Sequence, residues 1–313
     1  MEIRVKIDEM TPEATLRSSD YDGVPARTVA EILARRGENV ITQFSESLRP
    51  DNAEGIHDLR VAIRRFRTAM RDLAPLVDKK AARTINEELK TIAAVAGEVR
   101  DNDVAKKVLQ KLSAESSDPE IAAAINDMAT RRDEMRDAGL VSLAALLTPE
   151  NSERLASQIR SYTAAAGEAD IAADAANSAM EERRGEFLEL VPTLYDPLDV
   201  EGHHRLRIAA KRLRYSTELF DRTPRGSDPS PPERIAEMQD HLGDMHDCDV
   251  WIGTLRKNLK KYLKNDRDQT PEFRAAEWLL GEFVRRRAKS YREALELWAE
   301  WRRSGFLKTL RYV

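Results

Sequence analysis

Two stretches of this sequence decide its fold because they repeat each other. The first is Gly55-Ile-His-Asp-Leu-Arg-Val-Ala-Ile-Arg-Arg-Phe-Arg67, and the second is Gly202-His-His-Arg-Leu-Arg-Ile-Ala-Ala-Lys-Arg-Leu-Arg214. Two further pairs match in the same order: Arg35–Glu38 with Arg183–Glu186, and Gly97–Val104 with Gly243–Val250. Because the offset is nearly constant, we infer an internal duplication, with too few copies for a solenoid. The sequence therefore predicts two similar helical bundles packed as a pseudo-dimer.

The spacing of apolar residues predicts an all-α fold. From about residue 25 the period is helical, and only Ile3, Val5 and Ile7 alternate as a strand would. The predicted organisation is an arm over 1–24, a first bundle over 25–148, a connecting segment over 149–170 and a second bundle over 171–313. Helix breaks are predicted after Gly97 and, just beyond Gly243, between residues 245 and 249. Asp51 or Asn52 is predicted to cap the second helix and Asp118 the fifth. Thr223–Pro232 is predicted to be an exposed loop.

Composition narrows the class of protein. The 313 residues include 51 Lys+Arg and 55 Asp+Glu, for a net charge of −4. The single cysteine, Cys248, excludes an intrachain disulfide and argues against a cysteine zinc site. The longest apolar runs are far too short to cross a bilayer. These features predict a cytoplasmic protein without membrane insertion, and the oligomeric state stays open.

The repeated helix carries a column of basic side chains. In the first copy the spacing of three, four, three and four places five residues on one face: His57, Arg60, Arg64, Arg67 and Arg71. The second copy repeats it with His204, Arg207, Lys211 and Arg214. An apolar stripe about 100° away should enter the core. In the first copy it consists of Leu59, Ile63, Phe66, Met70 and Leu73, and in the second of Leu206, Ala210, Leu213 and Phe220.

The basic columns concentrate positive charge in an acidic protein. Residues 55–73 carry +3 and residues 202–220 carry +4, which leaves −11 for the rest of the chain. Like charges at helical spacing repel, so the columns need acidic partners or an anionic ligand. Arginine suits bidentate phosphate contacts, and lysine acts as a point charge. The candidate ligands of an anion therefore also include Arg65 and Arg212, which the motifs align, and Lys79, Arg83 and Lys90, which share a face of the next helix.

Other interpretations stay open. A solvated, salt-bridged helix face is the plain alternative for one basic column. The pairs Asp101/Asp103 and Asp247/Asp249 offer oxygen ligands to a metal. We favour a supporting role in which they cap the following helix, orient neighbouring basic side chains and keep Arg100 in place. The sequence contains no phosphate-binding P-loop, no glycine-rich dinucleotide-binding motif, no zinc-protease motif and no serine-hydrolase motif.

The motifs resemble the CHAD domain, the conserved histidine α-helical domain. The resemblance rests on His57–Arg67, on Gly97–Val104 and on the counterpart beginning at His204, and it covers nearly the whole chain from about residue 25. It implies two four-helix bundles with pseudo-two-fold symmetry around a basic central cavity. It also implies binding of inorganic polyphosphate, with no catalysis and no cofactor, and a location at polyphosphate granules. His246 stands where the first half has Arg100, so that corner of the two halves differs.

The sequence is compatible with three functions. The first is binding of polyphosphate or another phosphate-rich polyanion, which should strengthen below about pH 6.5 as His57 and His204 become charged. The second is an enzyme, either a metal-dependent phosphohydrolase or a phosphotransferase that acts on polyphosphate. The third is a scaffold that binds nucleic acid or protein.

Overall fold

The computed structural model describes residues 28–52, 54–73, 79–166, 173–220 and 230–310, and these residues are mostly helical and include no strand. The helices are α1 (Val29–Glu46), α2 (Gly55–Asp72), α3 (Lys79–Glu115), α4 (Pro119–Leu146), α5 (Pro149–Ala164), α6 (Ala173–Leu190), α7 (Val200–Phe220), α8 (Pro231–Lys264), α9 (Pro271–Ser304) and α10 (Phe306–Thr309). A 3₁₀ turn, Val191–Tyr195, joins α6 to α7. The all-α prediction is confirmed. The predicted arm and the strand of Ile3, Val5 and Ile7 lie outside the described residues.

Successive helices pack against each other in both halves of the chain. α1 packs on α2, α2 on α3 and α3 on α4, and the same order recurs from α6 to α9. The halves meet where α2 crosses α7 and where α4 meets α9. One hydrophobic cluster runs through both halves, and a second joins the far ends of α3, α4, α8 and α9. The duplication, the symmetry and the domain limits stay predictions.

The connecting segment contributes a helix to the first half. α5 lies within the segment 149–170 and packs on α1 and α3. Its inward side chains include Leu155 and Ile159, both almost fully buried. Gly37 of α1 lets α5 approach closely, since a Cβ there would lie 2.7 Å from the Ile159 side chain.

The apolar stripes of α2 and α7 enter the core as predicted. Leu59, Ile63 and Phe66 are fully buried, and Met70 and Leu73 nearly so. On α7 the buried set is Leu206, Ala210, Leu213 and Phe220. Burying a large apolar side chain contributes about 1.5–3 kcal/mol, so these stripes fix how each helix is rotated. The rotation in turn decides where the neighbouring basic residues point.

The predicted helix breaks at Gly97 and Gly243 are wrong. Both glycines lie inside long continuous helices, α3 and α8. An interior glycine costs only about 1 kcal/mol relative to alanine, which packing along a long helix can offset. α4 approaches α3 closely at Gly139, where a Cβ would lie 2.9 Å from the Val99 side chain.

Helix starts agree with the sequence in one place and differ in two. Asp118 caps α4 as predicted, and its Oδ1 accepts hydrogen bonds from the amides of Glu120 and Ile121 at 2.8 and 3.3 Å. The predicted caps Asp51 and Asn52 do not start α2, which begins after Glu54. Asp51 instead pairs with Arg49 at 2.9 Å. At the end of the predicted exposed loop, Pro231 and Pro232 already belong to α8, because proline suits the first turn of a helix.

Candidate anion-binding site

A cavity of about 650 Å³ opens where α2, the first turns of α3 and α7 converge. Seven of its lining side chains are cationic and none is acidic: Arg64, Arg67, Arg71, Lys79, Arg83, Lys211 and Arg212. The other lining residues are Thr68, Met70, Ala82, Asn86, Ile208 and Tyr215. The cavity thus brings together cations from both repeated helices and from α3. The sequence predicted that Lys79 and Arg83 of α3 would be ligands of the same anion as the basic columns.

α2 supplies the wall in which the guanidinium groups are most crowded. Arg67 Nε donates to Asn86 Oδ1 at 2.7 Å, which ties α2 to α3. Burial lowers the pKa of Arg67, and the nearby charge of Arg71 lowers it further against the opposing effect of Glu87. Arg71 is partly balanced by Asp72, 2.7 Å away. This crowding favours occupation by an anion.

α7 forms the opposite wall, with an aromatic ring between basic groups. The guanidinium carbon of Arg64 lies 5.1 Å from the centre of the Tyr215 ring, and that of Arg214 lies 4.7 Å from it. Both distances suit cation–π interactions. Tyr215 is nearly buried, so its ring can hold Arg64 at the cavity wall. Arg212 is about half exposed and lies 3.5 Å from Glu186.

α3 presents Lys79 and Arg83 from its first two turns. Both side chains are exposed, and neither forms an ion pair with any residue that the structure describes. The amino-terminal end of a helix also carries a partial positive charge. An anion in the cavity would therefore meet basic side chains and this end of α3 on one side.

A buried carboxylate removes some motif arginines from the cavity. Glu218 Oε1 lies 2.7 Å from Arg65 Nε and 3.1 Å from Arg36 Nη2. Burial alone would raise the pKa of Glu218, but the charges of Arg65, Arg36 and Arg214 together hold it below its usual value. Arg65 and Arg214 are themselves buried. Their charges are balanced inside the protein.

A second buried acid, Asp72, also links the two halves of the chain. The Asp72 side chain at the end of α2 is fully buried and lies 3.7 Å from Arg183 of α6. It also accepts a hydrogen bond from the Ser216 hydroxyl of α7. Glu218 and Asp72 therefore each link α2 or α7 to the other half of the chain, and they hold the two basic walls together.

The remaining predicted ligands lie outside the lining of this cavity. Arg60 lies 3.4 Å from Asp101, and Lys90 is exposed beside Glu87 at 3.8 Å. Two other members of the predicted set, His57 and Arg207, are buried. His204 Nδ1 lies 3.1 Å from His246 Nδ1, so the residue that differs between the halves contacts the histidine column. Their part in binding stays a prediction.

The Asp pairs support arginines but do not cap helices. The capping prediction is wrong because α3 and α8 run straight through these residues. Asp103 lies 2.7 Å from Arg136 of α4, and Asp249 lies 2.5 Å from Arg287 of α9. The other members, Asp101 and Asp247, are buried, as is Arg100, which lies 3.3 Å from Glu54. Within the described ranges no three His, Cys, Asp or Glu side chains form a group that could hold a metal.

Tyr215 and Asn86 are site residues that the sequence analysis missed. Tyr215 directly follows the second motif, one position beyond Arg214. Its place three to four residues after Lys211 and Arg212 is the signal that could have found it, since this spacing keeps a residue near the same helix face. Asn86 has no comparable signal, because its role depends on how α2 packs on α3.

The fold and the cavity define a helical protein with a basic pocket between two bundle halves. The family model of the CHAD domain matches residues 31–256, so the chain belongs to the CHAD domain family. No curated protein matches this chain.

Two solved structures share the fold. The crystal structure of the CHAD domain from the plant Ricinus communis has 20% identity and a TM-score of 0.66, and the match covers 96% of this chain and 98% of that one. PptA from Streptomyces chartreusis has 13% identity and a TM-score of 0.67, with 88% and 100% covered. At these identities the likeness extends to the fold.

The described helices lack the features of a membrane span. None combines the length and the low charge content that would let it cross a bilayer.

Proposed function

We propose that this protein binds inorganic polyphosphate in the cavity between α2, α3 and α7. The observation that carries the proposal is the lining of seven cations and no carboxylate. Membership of the CHAD family supports a fold built around such a cavity. A linear polymer of phosphates matches this lining because every unit presents anionic oxygens to arginine and lysine donors.

Binding follows from neutralisation of successive phosphates. The polyphosphate is contacted from α2 by Arg64, Arg67 and Arg71. From α7 it is contacted by Lys211 and Arg212. The rotation of each helix is fixed by its buried stripe, so the donors are held in place before the ligand arrives. Neutralisation releases counterions from the polymer, and affinity should therefore fall steeply with salt, as it does for nucleic acids.

The protein acts on its ligand by holding it, without catalysis. Cys248 fits this proposal, because it is buried and burial raises the pKa of its thiol to about 12. A thiol of that kind is a poor nucleophile at neutral pH. Measuring phosphate release from polyphosphate with and without Mg²⁺ tests this part, and sustained turnover would show an enzyme instead.

The proposed site is tested by reversing one charge on each wall. Arg64→Glu together with Lys211→Glu should abolish polyphosphate binding in a salt-titrated binding assay while the circular dichroism of the helices is retained. The matched control is Arg303→Glu with Lys308→Glu, which makes the same charge change at exposed residues that do not line the cavity. If the cavity variant binds as tightly as the control, the site is wrong. If duplex DNA at equal phosphate concentration displaces a short polyphosphate, which can occupy only the cavity, the ligand class is wrong.

A further inference from the structure

The last three turns of α8 carry a second concentration of positive charge. Between Asp249 and Asp266 the chain has five cations and no acid: Arg256, Lys257, Lys260, Lys261 and Lys264. All five side chains are exposed, and none forms an ion pair within the described part of the chain. Helical spacing places them within an arc of about 140° on one face. They form a continuous surface, which we call the α8 basic surface.

Helix-end electrostatics explain only part of the α8 basic surface. Cations in the last turn are favoured by the partial negative charge of a helix carboxyl end, and Lys261 and Lys264 lie there. That effect fades within one turn, so Arg256 and Lys257 gain little from it. Repulsion between neighbours such as Lys257 and Lys261 costs helix stability. The cluster is therefore better matched to an external polyanion than to the helix itself.

Nearby acids leave this surface largely uncompensated. Asp266 and Asp268 follow the helix and are exposed, while Glu272 of α9 lies 3.7 Å from Arg267. Arg267 therefore pairs with Glu272. Asp266 and Asp268 lie past the end of α8, and within the described residues neither forms an ion pair with any of the five cations.

The α8 basic surface is well separated from the cavity. α7 and α8 run antiparallel, with His204 beside His246. The cavity residues Lys211 and Tyr215 lie to one side of this contact, and Lys257 lies to the other. At 1.5 Å per helical residue the two regions are roughly 30–40 Å apart along the helices.

We infer that the α8 basic surface is a second contact for the same polyphosphate chain, so that the protein prefers polymers long enough to reach both sites. This inference rests on the proposed function of the cavity. Once one part of a polymer occupies the cavity, its remainder is held at high local concentration near α8. Two weak charge contacts on one ligand then increase affinity together, whereas a short chain gains nothing from the second.

The test compares two ligand lengths in the full-length protein. The variant combines Lys257→Gln, Lys260→Gln, Lys261→Gln and Lys264→Gln, because glutamine removes charge while keeping helix propensity. The probes are a polyphosphate of about five units, too short to reach both sites, and one of about 100 units.

The expected result is a loss of chain-length preference. The variant should bind the long chain at least about tenfold more weakly than wild type. When ligand concentration is counted in five-unit binding registers, the ratio of short-chain to long-chain dissociation constants should then approach one. By analogy with single-stranded nucleic acid, its salt slope for the long chain should fall by up to about 3. Wild-type affinity of the variant for the long chain would overturn the inference. Displacement of the long chain by duplex DNA on wild-type protein, but not on the variant, would assign the α8 basic surface to nucleic acid instead.

Failure of the cavity proposal looks different in the same assay. If Arg64→Glu with Lys211→Glu leaves short-chain binding intact, the proposed function fails whatever the α8 variant does. If the cavity variant loses short-chain binding and the α8 variant keeps its long-chain affinity, only the second contact fails.

Discussion

The repeated helices α2 and α7 carry the same motif but use it differently. Arg64 and Lys211 occupy aligned positions and both line the cavity. At the next position Arg65 is buried against Glu218, while Arg212 lines the cavity. The pattern reverses two residues later, where the α2 residue lines the cavity and the α7 residue is buried: Arg67 and Arg214.

One acidic residue accounts for this difference between the two helices. With the same offset, Arg71 of α2 aligns with Glu218 of α7. Arg71 adds a cation to the cavity, whereas Glu218 lies in the core and attracts Arg65 and Arg214 inward. The two motif arginines that Glu218 attracts, Arg65 and Arg214, therefore do not line the cavity.

Loss of the buried carboxylate should have the largest effect. Glu218→Gln removes the carboxylate charge that pairs with the buried Arg65 and the partly buried Arg36. Breaking a buried pair in this way costs about 3–5 kcal/mol. We expect a correspondingly lower free energy of unfolding in urea. The control is Glu87→Gln, which breaks the exposed pair with Lys90 and should change stability little. Equal stability of the two variants would contradict the role given to Glu218.

The aromatic ring on α7 should have an intermediate effect. Tyr215→Leu removes the surface that holds Arg64, and a cation–π contact contributes about 1 kcal/mol, so affinity for short polyphosphate should fall about fivefold. Tyr215→Phe keeps the ring and should restore most of that affinity. Unfolding curves separate a general loss of stability from the binding effect. Equal binding by the Leu and Phe variants would remove Tyr215 from the site.

The smallest effect concerns a histidine of α7 that does not line the cavity. His203 is buried, its Nε2 donates to the Thr193 carbonyl at 3.0 Å, and burial lowers its pKa. The unfolded chain therefore binds a proton more readily, so stability should decrease as the pH falls below about 6.5. His203→Gln should weaken this pH dependence of the melting temperature. An unchanged profile between pH 7 and 5.5 in the variant would contradict it.

The sequence predicts the fold wherever periodicity is regular. The stripes of α2 and α7 repeat every three to four residues, and burial follows that repeat. The uninterrupted courses of α3 and α8 were not predictable, because Gly97 and Gly243 followed by aspartates resemble a helix end. Packing decided otherwise, since aspartates such as Asp103 bind arginines of the adjoining helix.

The sequence predicts the candidate site less completely. Helical spacing identifies the basic face of each helix. It predicts that Arg64 of α2, Lys211 of α7 and Arg83 of α3 each lie on such a face. It does not identify which helix lies opposite that face. The motif alignment predicts Arg65 to be a ligand. Its actual partner, Glu218, lies on α7, 153 positions away in the sequence. No local pattern connects the two residues.

Location in the cavity, rather than membership of a basic column alone, should decide which cations bind polyphosphate. Arg83 and Lys90 test it most directly, because both are exposed on α3 and only Arg83 lines the cavity. The measurement is the dissociation constant of short polyphosphate for Arg83→Glu and for Lys90→Glu. Since a hydrogen bond to a charged group contributes about 1.5–3 kcal/mol, Arg83→Glu should weaken binding by about tenfold or more, and Lys90→Glu by less than about twofold. Equal losses in the two variants would contradict the claim.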